Sequence, residues 1–147
     1  MDTPDYDDPA VEAEWCALAR SEVVDYLSAE GVEHGEVGEW PAWHVAPVVS
    51  LWAIESKARS GWVGWWAIFG DLPTDYISAQ TLKHPRDAVR AIAERWLRYA
   101  VDVREGRPPA EFGFRGETPP DQLVPLLETR ASVLSEWVDD DSVWEGL

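Results

Sequence analysis

Trp52, Trp62, Trp65 and Trp66 fall within residues 46–81, which read APVVSLWAIESKARSGWVGWWAIFGDLPTDYISAQT. Indoles packed that densely along a chain belong either in a core or at an interface, because large aromatic surface dominates both. Residues 48–56 are β-branched and aromatic, as a pleated surface prefers. Alternation puts Val48, Ser50, Trp52 and Ile54 on one face and Val49, Leu51, Ala53 and Glu55 on the other. A second strand is expected over residues 62–70, with Trp62, Trp66 and Ile68 opposite Val63, Trp65, Ala67 and Phe69. The Lys57–Gly61 connection is short, polar and ends in Gly, which suits a hairpin. Residues 71–75 supply turn chemistry, and 76–81 read as a further strand. Both faces of the second strand are apolar, whereas a sheet with one wet face alternates. Either helices cover both faces or one face is an aromatic contact platform.

Amphipathic helices flank this hairpin. Asp8 then Pro9 is a helix start, followed by Val11, Trp15, Leu18, Ala19, Glu22, Val23, Tyr26 and Leu27 at helical spacing, with Gly31 as the stop. Cys16 lies beside that stripe and reads as a small buried hydrophobe. His84 and Pro85 open a second helix whose buried face is Val89, Ile92, Ala93, Trp96, Leu97, Ala100 and Val103. Gly106, Pro108 and Pro109 end it, and Phe112 and Phe114 are candidate anchors in the following loop. A third helix carries Leu123, Leu127, Ala131, Leu134 and Val138 on one stripe, with Pro125 in its first turn or bending it. The fold expected is α+β: a small antiparallel sheet of about three strands packed with three helices, in the order α-β-β-(β)-α-α. It forms a single domain over 1–147, with flexible acidic ends at 1–7 and 139–147.

Charge narrows the function. The net charge is −16, and it is uneven. Residues 1–40 hold twelve acids against one base, residues 41–115 eight against ten, and residues 116–147 eight against one. Such a field repels a nucleic-acid backbone and steers a basic protein partner inward. No apolar run approaches the roughly 20 residues that a membrane span needs, and the acidic start does not resemble a secretory leader. One cysteine cannot form an internal disulfide, which points to a reducing, cytoplasmic setting.

Residues 31–47, GVEHGEVGEWPAWHVAP, are the best local candidate for a site. This long connection has three Gly and two Pro, and long loops often carry function. It holds His34, Glu36, Trp40, Trp43 and His44, and Asp71, Asp75 and Tyr76 follow the second strand. His44 with Asp71 and Asp75 would make acid/base machinery if folding brought them together. Otherwise the two aspartates accept backbone bonds in their own turn. The His34-x-Glu36 pair lacks the Pro-Cys-x-x-Cys partner of zinc deaminases, and no phosphate loop or nucleophile elbow occurs. No cofactor, metal or catalytic residue is expected from these motifs.

The stretches HGEVGEWPAWHVAPVVSLWAIES (34–56), GWVGWWAIFGDLPTDYISA (61–79) and HPRDAVRAIAERW (84–96) resemble an uncharacterised bacterial family of single-domain proteins, classed as a domain of unknown function. The resemblance covers about the middle half of the chain. It implies a bacterial cytosolic protein and brings no reaction with it. The leading expectation is a small acidic protein-interaction domain of the immunity-protein or inhibitor kind. The alternative is an enzyme or small-ligand binder with a pocket between the 31–47 loop and the 70–76 turn, and a third reading is a homodimer through the aromatic sheet face.

Overall fold

The protein is described by a computed structural model over residues 4–107 and 119–147. Phe112 and Phe114, with Pro108 and Pro109, lie outside the described residues. The architecture is α+β: α1 (Pro9–Ala29), β1 (Trp43–Val45), β2 (Val49–Glu55), β3 (Val63–Gly70), β4 (Leu72–Ser78), α2 (Pro85–Arg104), α3 (Pro120–Val138) and a 3-10 turn, Asp141–Trp144. Two compact units emerge, Met1–Lys83 and His84–Leu147.

The first unit is an antiparallel sheet in the order β1-β2-β3-β4 with α1 against one face. Four strands stand where about three are expected. The added strand, β1, lies inside the long 31–47 connection, where His44 pairs with Ser50. The Pro and Gly residues around it hid three extended residues, too few to show a period. The final turn is also tighter than expected. Gly70 pairs with Leu72, so β4 begins at Leu72 and Asp75 sits inside a strand rather than in a turn.

Trp52 and Ile54 of β2 and Ala67 of β3 pack with Ala19, Val23 and Leu27 of α1, and Trp65, Phe69 and Tyr76 close the rim. On the opposite face Leu51, Trp66 and Ile68 are buried as well. Polar atoms among the aromatics are matched: Trp52 Nε1 donates to Ser50 Oγ at 2.9 Å, which donates to the Phe69 carbonyl at 2.8 Å. Tyr26 meets the edge of Tyr76, and its hydroxyl is held well above its ordinary pKa by burial, with Asp75 and Glu30 adding.

Helix α1 starts as its sequence directs: the Asp8 carboxylate accepts from the Ala10 amide and Pro9 occupies the first turn. It stops at Gly31, whose φ of 70° lets Val32 N–H return to the Leu27 carbonyl. Its buried row is Cys16, Ala19, Val23 and Leu27, and Leu18 is 54% exposed. Cys16 is thus buried as expected, whereas Leu18 of the expected stripe faces outward. Small Ala19, buried in the cluster with Trp52, lets the helix come close to the sheet.

In the second unit α2 packs on α3. His84 Nδ1 caps α2 by accepting from the Arg86 amide at 3.0 Å. Arg86 reaches the C-terminus of α3, donating to the Val138 carbonyl at 2.8 Å and to Asp141 at 2.7 Å. That helix end leaves carbonyls without helical partners and carries partial negative charge, so a guanidinium is well placed there. Residues 139–147, read from the sequence as an acidic tail, hold the 3-10 turn, and Trp144 is buried with its Nε1 donating to the Trp137 carbonyl at 2.8 Å. The α3 row Leu123, Leu127, Ala131, Leu134 and Val138 is buried as expected, and Leu97 of α2 is exposed rather than buried.

Candidate functional site

The 31–47 connection does not lie loose on the sheet. Val37 bridges to Ile54, and the Gly35 and Gly38 amides donate to the Glu55 and Ala53 carbonyls. Arg20, the one base in residues 1–40, then fixes it to α1. Its Nε donates to the Gly38 carbonyl and its Nη2 to the Val37 carbonyl, both at 2.9 Å. The guanidinium fork suits two adjacent carbonyls, which a lysine could not match.

A second clamp sits about two helix turns away. Glu12 Oε2 lies 3.2 Å from His44 Nε2. The Trp40 ring stands edge-on to His44, with centroids 5.3 Å apart and planes at 88°. The Glu12–His44 pair thus positions Trp40, which remains 49% exposed. Between Trp40 and α1 runs an open groove of about 390 Å³, floored by Ala13, Cys16, Ala17, Arg20 and Ser21 and bounded by Glu39 and Trp40. Burial raises the Cys16 thiol pKa, and nearby Glu12 raises it further. It is a protonated packing group here, not a nucleophile.

The expected site residues part company. Trp40 and His44 meet. His34 keeps to its own loop, its Nδ1 2.6 Å from the Gly35 carbonyl. Glu36 is exposed, and its amide donates to Glu55 Oε1 at 3.4 Å. Trp43 is buried on β1. The Asp71 amide donates to the Val48 carbonyl at 2.9 Å, which ties the tight turn to β2. Asp75 is buried on β4, and its carboxylate accepts from the Tyr76 amide at 2.9 Å. Tyr76 packs against Tyr26 and Trp65. His44 and Asp75 occupy opposite edge strands, three strand spacings or about 14 Å apart. That separation is too great for them to share a proton on one substrate atom.

Sequence reasoning missed Glu12, Ala13, Ala17, Arg20 and Ser21. A signal was available: small residues at 13, 17 and 21, spaced by four outside the apolar row, and a lone arginine among twelve acids. Among the described residues, no three His, Cys, Asp or Glu side chains gather as a metal site requires. No described helix is long and apolar enough to cross a membrane.

Glu55 joins the loop to the hairpin. Its carboxylate accepts from the Gly61 amide at 3.0 Å as well as from Glu36. These bonds, Gly61 first, hold its pKa below the ordinary 4.5. A carboxyl depressed in the folded state stabilises above its unfolded pKa, and that contribution is lost as pH falls through the folded value. The Glu55 contribution to the unfolding midpoint should therefore be flat above about pH 5 and fall in acid. Glu55→Gln should make the fall shallower, and an unchanged acid slope in that variant would exclude this role.

No curated protein and no solved structure matches the chain. A family model does, over residues 9–144, which is nearly the whole chain. The chain belongs to the family described as Domain of unknown function (DUF4826).

Proposed function

We propose that this protein is a small acidic interaction domain of the bacterial cytosol, of the immunity-protein or inhibitor kind, which binds a basic protein partner. The observation that carries the reading is Trp40: an indole held half-exposed over a groove by the Glu12–His44 pair, in a segment with twelve acids and one base. Exposed, pre-positioned indoles are the residues that anchor interfaces, and a strong field of one sign speeds encounter with the opposite sign. Glu14, Glu36 and Glu39 are exposed on the same unit.

The test uses an amphipathic peptide of Leu and Lys and its counterpart with Glu for Lys. The Lys peptide should bind at low salt, and its Kd should rise about tenfold or more between roughly 0.05 and 0.5 M salt. Trp40→Ala should weaken it by a further tenfold or more, the scale of an interface anchor. Equal binding of the two peptides, or binding of neither, would overturn the reading.

A further inference from the structure

The outer side of α1 is unusual for a surface helix. Ala13, Ala17 and Leu18 face solvent beside Ser21, with Glu14, Glu22 and Asp25 exposed around them. Ala13, Ala17 and Ser21 are spaced by four, so they form one straight row along the helix, about 12 Å long. Trp40 and Glu39 wall this row on one side. The result is a trough floored by small side chains and Arg20, with an aromatic wall, Glu39 on its rim and Glu14 exposed beside it.

The occupant can be narrowed by backbone chemistry. An extended peptide gains affinity by adding to a free strand edge. The floor of this trough is a helix, whose backbone groups are already bonded within α1, so it offers such a peptide nothing. A helix satisfies its own backbone and can lie in an apolar trough. Small floor residues let a second helix axis come close, since interaxial distance follows side-chain size at the contact. A second copy of this chain would bring the same acid-dense segment against itself, and like charges oppose that pairing.

We infer that the trough between α1 and Trp40 is a helix-docking site. It receives a basic amphipathic helix of the partner, one bulky apolar side chain of which seats between Trp40 and Ala17 while Lys or Arg side chains meet Glu14 and Glu39. The inference rests on the proposed function and specifies its binding mode. Arg20 also lines the trough. Its guanidinium is committed to the Val37 and Gly38 carbonyls and fixes the wall.

The experiment measures binding of the Leu/Lys peptide to the intact chain and to the double variant Ala13→Gln/Ala17→Gln. Gln adds bulk without charge and is a good helix former at exposed positions, so circular dichroism should not change. The double variant should raise Kd about tenfold or more, and a peptide carrying two central prolines should bind the intact chain about tenfold more weakly. Trp62→Ala removes the other exposed indole of this unit, at the hairpin tip, and should stay within about twofold. A double variant that binds like the intact chain, a proline peptide that binds as tightly as the helical one, or a greater loss at Trp62 would each overturn the helix-docking mode. Each of these would leave the basic-partner reading standing. Failure of the helical Lys peptide to bind at low salt would instead remove that reading.

Discussion

Trp52→Ala should lower the unfolding free energy by about 3–5 kcal/mol, the range for truncating a buried aromatic. Trp52 has no exposed surface and stands at the centre of the cluster formed by α1, β2 and β3. Its loss opens a cavity lined by Ala19, Val23, Ile54 and Ala67, and strands of a paired sheet cannot collapse to fill it. The polar consequence is smaller. Ser50 Oγ loses the indole donor but keeps its bond to the Phe69 carbonyl. Against a typical total of about 5–15 kcal/mol, such a loss is a large fraction of the stability. A thermal midpoint lowered by roughly 10 °C or more is the expected readout, with Trp52→Phe falling in between. Unchanged melting would mean that this indole is not in the core.

Gly70→Ala should be the most damaging of the glycine substitutions in the sheet, at about 3 kcal/mol. A Cβ on Gly70 would lie 2.7 Å from the Val48 carbonyl carbon and 2.8 Å from Val49 Cα. Both are backbone atoms of the neighbouring segment at the start of β2, so no side chain can swing aside. Gly70 also pairs with Leu72 across the tight turn, and the Asp71 amide closes that turn on the Val48 carbonyl. Separating β2 from β3 here would therefore loosen the β3–β4 turn as well. Gly61→Ala is the informative contrast. Gly61 has a φ of 83° but open space around it, so strain alone should cost about 1 kcal/mol. Denaturant midpoints of the two variants check the ranking.

The features legible in the sequence share a physical character: each is set by neighbours along the chain. The Asp8–Pro9 start, the Gly31 stop and the His84 cap follow from local hydrogen bonding and fixed φ, and the structure has all three. The hairpin followed from two apolar runs and a Gly-containing connection. What was not legible depends on distant partners. Leu18, on the apolar stripe by its spacing, faces outward because the sheet sets which side of α1 is covered. β1 exists because Leu51 and Val49 offer it an edge, not because Trp43, His44 and Val45 prefer extension by themselves. Likewise, nothing near His44 in the sequence marks the carboxylate that it meets. Its actual partner, Glu12, is 32 residues away on α1. Trp40 was visible as a candidate from the start, but its groove was not, because the floor comes from the outer side of a helix read only for its inner one.

The most direct test follows the indole N–H resonances in a proton–nitrogen correlation spectrum while the Leu/Lys peptide is added at low salt. Trp40→Phe and Trp62→Phe variants assign the two exposed indoles. The Trp40 resonance should shift progressively to saturation while that of Trp62 stays in place. A Trp40 signal that does not move as the peptide binds, above all with Trp62 shifting in its stead, would contradict the account.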